Sequence, residues 1–367
     1  MVMEHRSAVD LQVVPDTRTF HGMRNMPNSG TLSSQAITCV RRRLPPGWVA
    51  EERTGVLTLR AADGRSADLV LVPRKTLVPR DVPALLASAG QSALVLSPYV
   101  GGRTRELLAN AGVSYADATG NLRVVASSPA IFLEGAGADR DPDRMPRPLH
   151  SLRGAAAARV VRALCEFRPP YGVRTLAEAS ATPLGTVSRV VTFLETEALL
   201  TRDERKQIVS VDWAALLARW SKDYGVASTN LMRSYLEPRG LGALWPKLAR
   251  LDRYATTGSL AGPSIAPTRL AMIYVVDAET DARTLDLVPA DAGANVWLLQ
   301  PYDDVVFERV RRKQVMAGET GTEVIAVSLP QTVVDLMTSP GRGPQEAEAL
   351  LDTMKGTVGD WRRGPRS

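Results

Sequence analysis

The sequence predicts an α/β plus α+β multidomain protein: an α/β domain, a helical middle, and a second α/β domain. Three observations predict it. The 367 residues are enough for roughly two to three domains of ordinary size. Hydrophobic residues at 44% and charged residues at 23% are the composition of a folded chain. The hydrophobic period also changes along the chain. Short apolar runs bounded by turn residues occupy the flanks, and a 3.6-residue period occupies the middle.

In chain order, residues 1–30 read as a poorly ordered N-terminus, with Met23 or Met26 nearer the folded start. Residues 31–135 read as one α/β domain. Ser33–Leu44 is a helix started by serine and stopped by Pro45-Pro46. Trp48–Glu52 and Gly55–Arg60 alternate as meander strands, with Ala62-Asp63-Gly64 as the turn that follows. Asp68–Val72 is a continuous apolar strand expected to be buried on both faces, as is Ala93–Leu96. Val82–Ala89 and Gly101–Ala111 are helices; Ser114–Asp117, Asn121–Val125 and Ala130–Leu133 close the unit. In SYADATGN (114–121), Gly120 takes a positive φ and Asp117 caps locally. Residues 136–149, rich in Gly, Pro and charge, form a linker.

Residues 150–226 hold the helical middle. Leu152–Phe167 is a helix with Val160, Val161, Leu164 and Phe167 on one stripe. Thr175 caps a short helix (Leu176–Ala181), Thr182-Pro183-Leu184 turns, and Gly185–Glu197 forms a second helix. In that helix Val187, Val190, Val191 and Leu194 recur at i, i+3, i+4 and i+7, so Thr186, Ser188, Arg189 and Thr192 face outward. TRDERKQIVSVDW (201–213) then places Arg202, Arg205 and Lys206 on a charged tip between two short strands. This is a helix-turn-helix with a β-wing, and it resembles the winged helices of IclR- and MarR-type bacterial regulators over roughly 60 residues. Hydroxyls and a single arginine on such a helix suit phosphates and base edges, and a cationic wing suits the backbone or minor groove. The expected partner is double-stranded DNA, contacted by Thr175, Thr186, Ser188, Arg189, Thr192, Arg202, Arg205 and Lys206. The net charge of +6 is compatible with a polyanion without being diagnostic. Trp213–Tyr224 is an amphipathic helix that bridges into the next domain.

Residues 227–355 return to α/β. The pattern predicts helices over Asn230–Tyr235, Leu241–Leu251, Pro330–Met337 and Pro344–Met354, and strands over 270–276, Leu285–Val288, Val296–Leu299 and Val324–Val327. Arg311-Arg312-Lys313 reads as a solvated charge run, and residues 356–367 as a frayed tail.

Both flanks carry echoes of enzymes. The first resembles a restriction-endonuclease core, in which one strand supplies Asp and the next Glu-x-Lys to hold magnesium. Asp68 fits the first position, but Ser97-Pro98-Tyr99 stands where the second motif belongs, so the domain reads as degenerate. The second resembles nucleotidyltransferases, with Gly258-Ser259 as the phosphate turn and Asp277, Glu279 and Asp286 as the acids available, again without a convincing metal set. A magnesium-dependent nuclease or a nucleotidyltransferase is therefore the alternative function; neither catalysis, metal nor cofactor is the expectation.

The landmarks TGSLAG, APTRLAMIYVV, ANVWLLQPYDDVVF and VSLPQTVVDLMTSPGRGPQEAEALL occur in that order after residue 256, and SPYVGGRTRELLANAGVSYADATGN precedes the central motif. Together they resemble the AbiEi-family antitoxins of type IV toxin–antitoxin systems, over most of residues 85–355. The resemblance implies a DNA-binding, autoregulatory transcription factor with a cognate toxin as a second partner; a protein that neutralises a toxin by direct binding is the other alternative. This chain places its winged segment in the middle rather than at the N-terminus. A homodimer is expected, because symmetric operators pair with two-fold proteins.

Two distant cysteines, Cys39 and Cys165, read as buried thiols in a reducing compartment, and the scattered His5, His21 and His150 do not form a zinc motif. With neither a signal peptide nor a membrane-length apolar stretch, the expectation is a cytoplasmic protein with no membrane partner.

Overall fold

The computed structural model describes residues 29–88, 90, 92–142, 151–262, 269–317 and 320–364; His5, His21, His150, most of the expected N-terminal tail and half of the linker lie outside them. The chain is mixed α/β and divides into two compact units, Met1–Leu77 with Ala84–Pro142, and Val78–Pro83 with Asp143–Ser367.

The first unit is a seven-stranded sheet in chain order. It comprises α1 (Ser29–Arg41), β1 (Val49–Arg53), β2 (Val56–Arg60), β3 (Ser66–Pro73), α2 (Val82–Ser88), β4 (Ala93–Ser97), α3 (Gly102–Asn110), β5 (Ser114–Asp117), β6 (Leu122–Ser127) and β7 (Ala130–Gly135). β1 to β3 form an antiparallel meander, β3 to β5 run parallel through the α2 and α3 crossovers, and β5 to β7 return antiparallel. α1 lays Ala36, Ile37 and Val40 against Leu94, Leu96, Ala116 and Leu122. Every residue of β4 is buried, as a central parallel strand requires. β3 departs from expectation: Leu69 is buried, but Asp68 and Val70 are exposed. The apolar run there reflects a half-covered strand beside the meander.

Behind β5, Asp117 is fully buried and saturated. Its Oδ1 accepts from the Thr119 and Asn121 amides at 2.9 and 3.0 Å, and its Oδ2 from the Val100 amide and Asn121 Nδ2 at 3.0 and 2.9 Å. Gly120 has φ 103°, as the turn needs. The phrase SYADATGN is thus a structural knot that closes the β5–β6 hairpin.

The second unit begins with α4 (Ala155–Glu166), α5 (Val173–Ala179), α6 (Leu184–Thr196), the hairpin β8 (Leu200–Arg202) and β9 (Ile208–Val211), α7 (Trp213–Trp220) and α8 (Val226–Thr229). A second seven-stranded sheet follows, built from β10 (Leu231–Leu236), β11 (Tyr254–Thr257), β12 (Ala271–Val275), β13 (Val288–Pro289), β14 (Val296–Gln300), β15 (Arg311–Ala317) and β16 (Thr320–Ala326), in the order β13-β10-β14-β12-β11-β16-β15. Its helices are α9 (Ala278–Thr284), α10 (Leu329–Met337), α11 (Gly343–Gly356) and α12 (Val358–Trp361). The sheet is covered on both faces. Ile273, Val275 and Leu298 face one core with Trp245 and Leu248, while Met272, Tyr274 and Leu299 face the other. That second core runs without a break from Val187 and Leu194 of α6 through Leu216 and Trp220 to Val333 and Met354. The helical segment and the α/β body therefore share one interior.

Several expected elements differ. Asn230–Tyr235 is not a helix: Leu231–Leu236 pairs with β14 and alternates in exposure, because a neighbouring strand satisfies its backbone. Leu241–Leu251 breaks into 3₁₀ turns, with Pro246 interrupting any continuous α-helical ladder. Leu285 ends α9, Asp286 turns with φ 54°, and only Val288–Pro289 extends. The charge run Arg311-Arg312-Lys313 is strand, not solvated face. Arg312 points outward, while Arg311 donates to the carbonyls of Val327 and Ala261 and Lys313 to that of Gly262. Burial pushes Arg311 down to about 10 and Lys313 to about 8.

Of the tail expected to fray, residues 361–363 are anchored. Trp361 meets the Trp213 ring edge-on at 5.0 Å, and the Arg362 guanidinium donates to the carbonyls of Leu164, Cys165 and Phe167 at 3.1, 2.9 and 2.6 Å. A buried cation thereby caps the C-terminus of α4. Among the described residues no helix is long and apolar enough to cross a membrane.

Candidate nucleic-acid interface

α6 spans 13 residues, about 20 Å at 1.5 Å per residue, and is apolar on one face and polar on the other. Val187, Val190, Val191 and Leu194 are buried against α4 and α5, within the shared core. On the other side Ser188, Arg189 and Thr192 are exposed, and Thr186 is half-buried. Arg189 Nη2 donates to Thr186 Oγ1 at 3.2 Å, which lays the guanidinium along the outer face. The first turn has no side-chain cap, since Pro183 stands at the N-cap.

The turn before α6 is set by local bonds. Ser180 Oγ donates to Leu176 O at 2.7 Å, Thr182 N to Ala177 O at 3.0 Å, and Ala181 takes φ 46° to reverse the chain. Thr175 does not cap α5. The helix begins at Val173 after Gly172, so Thr175 is internal and half-buried. Glycine at 172 already supplies the extended residue from which the helix starts.

The β8–β9 hairpin is closed by Asp203, whose Oδ1 accepts from the Gln207 amide at 2.8 Å, with Lys206 at φ 63°. This presents Arg205 and Lys206 to solvent. Arg202 is different. Its Nε donates to Glu195 Oε1 at 3.1 Å and its Nη2 to Oε2, a bidentate pair that leaves the arginine side chain mostly covered. That hydrogen bond holds the Glu195 carboxyl below its usual range and raises Arg202. Arg202 therefore stitches the hairpin to α6 and is not a free cation.

The structure adds a residue that spacing along the chain did not single out. The turn Pro79–Asp81 packs on α6 and belongs to the same compact unit. Arg80 on that turn is largely exposed, and together with Lys206 it acts on the Glu195 carboxylate from a distance. Ser188, Thr192 and Glu195 lie at i, i+4 and i+7 on α6, so the carboxylate on which Arg80 and Lys206 act ends the stripe that Ser188 begins. Arg80 is more than a hundred positions from Glu195; only the fold makes them neighbours.

The residues weighed for catalysis have other partners. Asp68 accepts from the Thr58 hydroxyl at 2.6 Å on the exposed face of the meander, and Ser97 is buried with its hydroxyl donating to Tyr99 O at 3.2 Å. Asp277 caps α9 through the Thr280 amide at 2.7 Å, Glu279 pairs with Arg233 at 2.8 Å, and Asp286 with Arg250 at 2.9 Å. Gly258 is buried and takes φ 63°, the left-handed region that favours glycine, so backbone conformation accounts for the residue. Among the described residues no group of three His, Cys, Asp or Glu side chains is placed to hold a metal ion.

No protein-family model, curated protein or solved structure gives a significant match to this chain.

Proposed function

We propose that this chain is a sequence-specific, double-stranded-DNA-binding transcriptional regulator, with α4–α6 and the β8–β9 hairpin acting as a winged helix-turn-helix. The observation that carries the reading is the division of α6 into a face of four buried aliphatic residues and an outer face of Ser188, Arg189 and Thr192, beside a hairpin tip bearing Arg205 and Lys206. A helix of this length fits the major groove, where an arginine reads guanine and small hydroxyls reach bases or phosphates. The exposed Arg205, Lys206 and Arg80 then contact the backbone, and Arg202 orients the wing. The flanking bodies, endonuclease-like and nucleotidyltransferase-like in outline, serve binding rather than cleavage. In keeping with the AbiEi resemblance, the protein represses its own promoter as a homodimer and meets a cognate toxin through a surface apart from α6.

The test is fluorescence anisotropy of the full chain on DNA from upstream of its own gene, with unrelated DNA as competitor. Arg189→Ala together with Ser188→Ala is expected to weaken specific binding by about 1–3 kcal/mol and to relax sequence preference. Unchanged affinity and preference would remove α6 as the reading element.

A further inference from the structure

The turn between α5 and α6 carries an open recess of about 530 Å³. Ala177, Ala181, Pro183 and Leu184 supply its apolar lining, and Leu184, the first residue of α6, is 47% exposed. A single leucine in water is ordinary, but four apolar residues gathered at one turn make a surface that gains from being covered. Backbone bonds fix the recess in shape. The Ala181 amide donates to Glu178 O at 3.2 Å, the Thr182 amide to Ala177 O at 3.0 Å, and the Thr186 and Val187 amides to Pro183 O at 2.9 and 3.1 Å.

Position and charge select what covers it. Leu184, Ser188 and Thr192 stand at i, i+4 and i+8 of α6, so the exposed leucine heads the polar outer stripe. At 1.5 Å per residue it precedes Ser188 by about 6 Å along the axis, roughly two base-pair steps. The two charged residues of the lining, Arg174 and Glu178, are of opposite sign and one turn apart on α5. Their charges cancel, so the recess has little field with which to draw a phosphate. An uncharged, apolar surface that continues a face of hydroxyls and arginine matches one group of the major groove, the C5-methyl of thymine.

We propose that Leu184 is a specificity-determining residue: with the recess beside it, it receives the C5-methyl group of a thymine and discriminates that base from cytosine. The inference rests on the DNA-binding reading and adds to it a base that α6 selects without a hydrogen bond. Arg189 reads by donating to acceptors on a base edge, whereas Leu184 reads by van der Waals contact with a methyl. Thymine and uracil offer the same hydrogen-bonding atoms and differ only in that methyl. The contribution of Leu184 is therefore separable from that of Arg189.

The test uses the full chain and duplexes of the upstream site located by footprinting, with each thymine replaced in turn by deoxyuridine. By anisotropy, at least one replacement is expected to weaken binding about fourfold, the worth of one buried methyl. Its salt dependence should not change, because no phosphate contact is lost. Leu184→Ser, with an unchanged melting curve, should weaken the thymine duplex by at least about fourfold and lose the difference between thymine and uracil at that position. A parent protein blind to every replacement would leave the recess to a protein partner and overturn the assignment. A Leu184→Ser protein that keeps the full thymine preference would overturn it as well. In both cases the specific complex still forms, so the DNA-binding reading stands; absence of any specific complex removes both.

Discussion

Asp335 offers a test of how the interior of the second unit is held together. Its carboxylate is fully buried; among the described residues it pairs with no cation and accepts four hydrogen bonds, from Tyr224 OH and Gln331 Nε2 at 2.7 Å each on Oδ1, and from Thr257 Oγ1 at 2.5 Å and Tyr274 OH at 3.0 Å on Oδ2. Burial pushes the group up to about 6 from an ordinary 3.8, outweighing the donors. The folded state therefore holds the proton more tightly than the unfolded chain. The stability gained from the protonated form is fully present below pH 3.8 and is lost as pH rises to about 6. A rise from 3.8 to about 6, at 1.36 kcal/mol per pH unit, corresponds to about 3 kcal/mol, most of it lost between pH 4 and pH 7. Asp335→Asn removes the titration while keeping an acceptor on one side and an amide toward two hydroxyls that rotate to accept. Urea unfolding of both proteins across that pH range isolates the effect, since the other carboxylates cancel in the difference. The stability of the parent relative to the variant should fall by about 2–3 kcal/mol as pH rises. A flat difference, or one that grows with pH, would show that the four donors outweigh burial and would refute the reasoning.

Five other substitutions probe the interface and its supports. Arg80→Ala, Arg205→Ala and Lys206→Ala should each reduce the salt dependence of DNA binding by about one unit of slope while leaving sequence preference intact, measured by anisotropy at several salt concentrations. An unchanged slope for Arg80→Ala would detach the Pro79–Asp81 turn from the interface. Arg362→Met strips three carbonyls at the end of α4 of their donor, so a loss of about 3 kcal/mol is expected in urea unfolding, and a loss under about 1 kcal/mol would deny the cap any role. Leu194→Ala, at a position with no exposure, should cost about 2–5 kcal/mol by the same measurement and lower DNA affinity through disorder of α6.

The sequence by itself determined the helical middle. Hydrophobic residues at 3.6-residue spacing in α4 and α6 bury the stripe they mark, and Asp117 with Gly120 makes the turn their chemistry requires. These readings rest on neighbours within a few residues, where period and turn preference act directly. What the sequence misread depended on partners far away. Leu231–Leu236 is a strand because β14, more than sixty residues on, supplies its hydrogen bonds. Arg311 and Lys313 turn inward because carbonyls at 261 and 262 wait there, while Arg312 between them stays in water. The last turn is ordered because Arg362 finds the end of α4. The candidate interface divides in the same way. Ser188, Arg189 and Thr192 are legible from helical spacing alone. That Arg202 is tied to Glu195, and that Arg80 comes within electrostatic reach of the same carboxylate, only tertiary structure decided, because charge interaction follows distance in space and not separation along the chain.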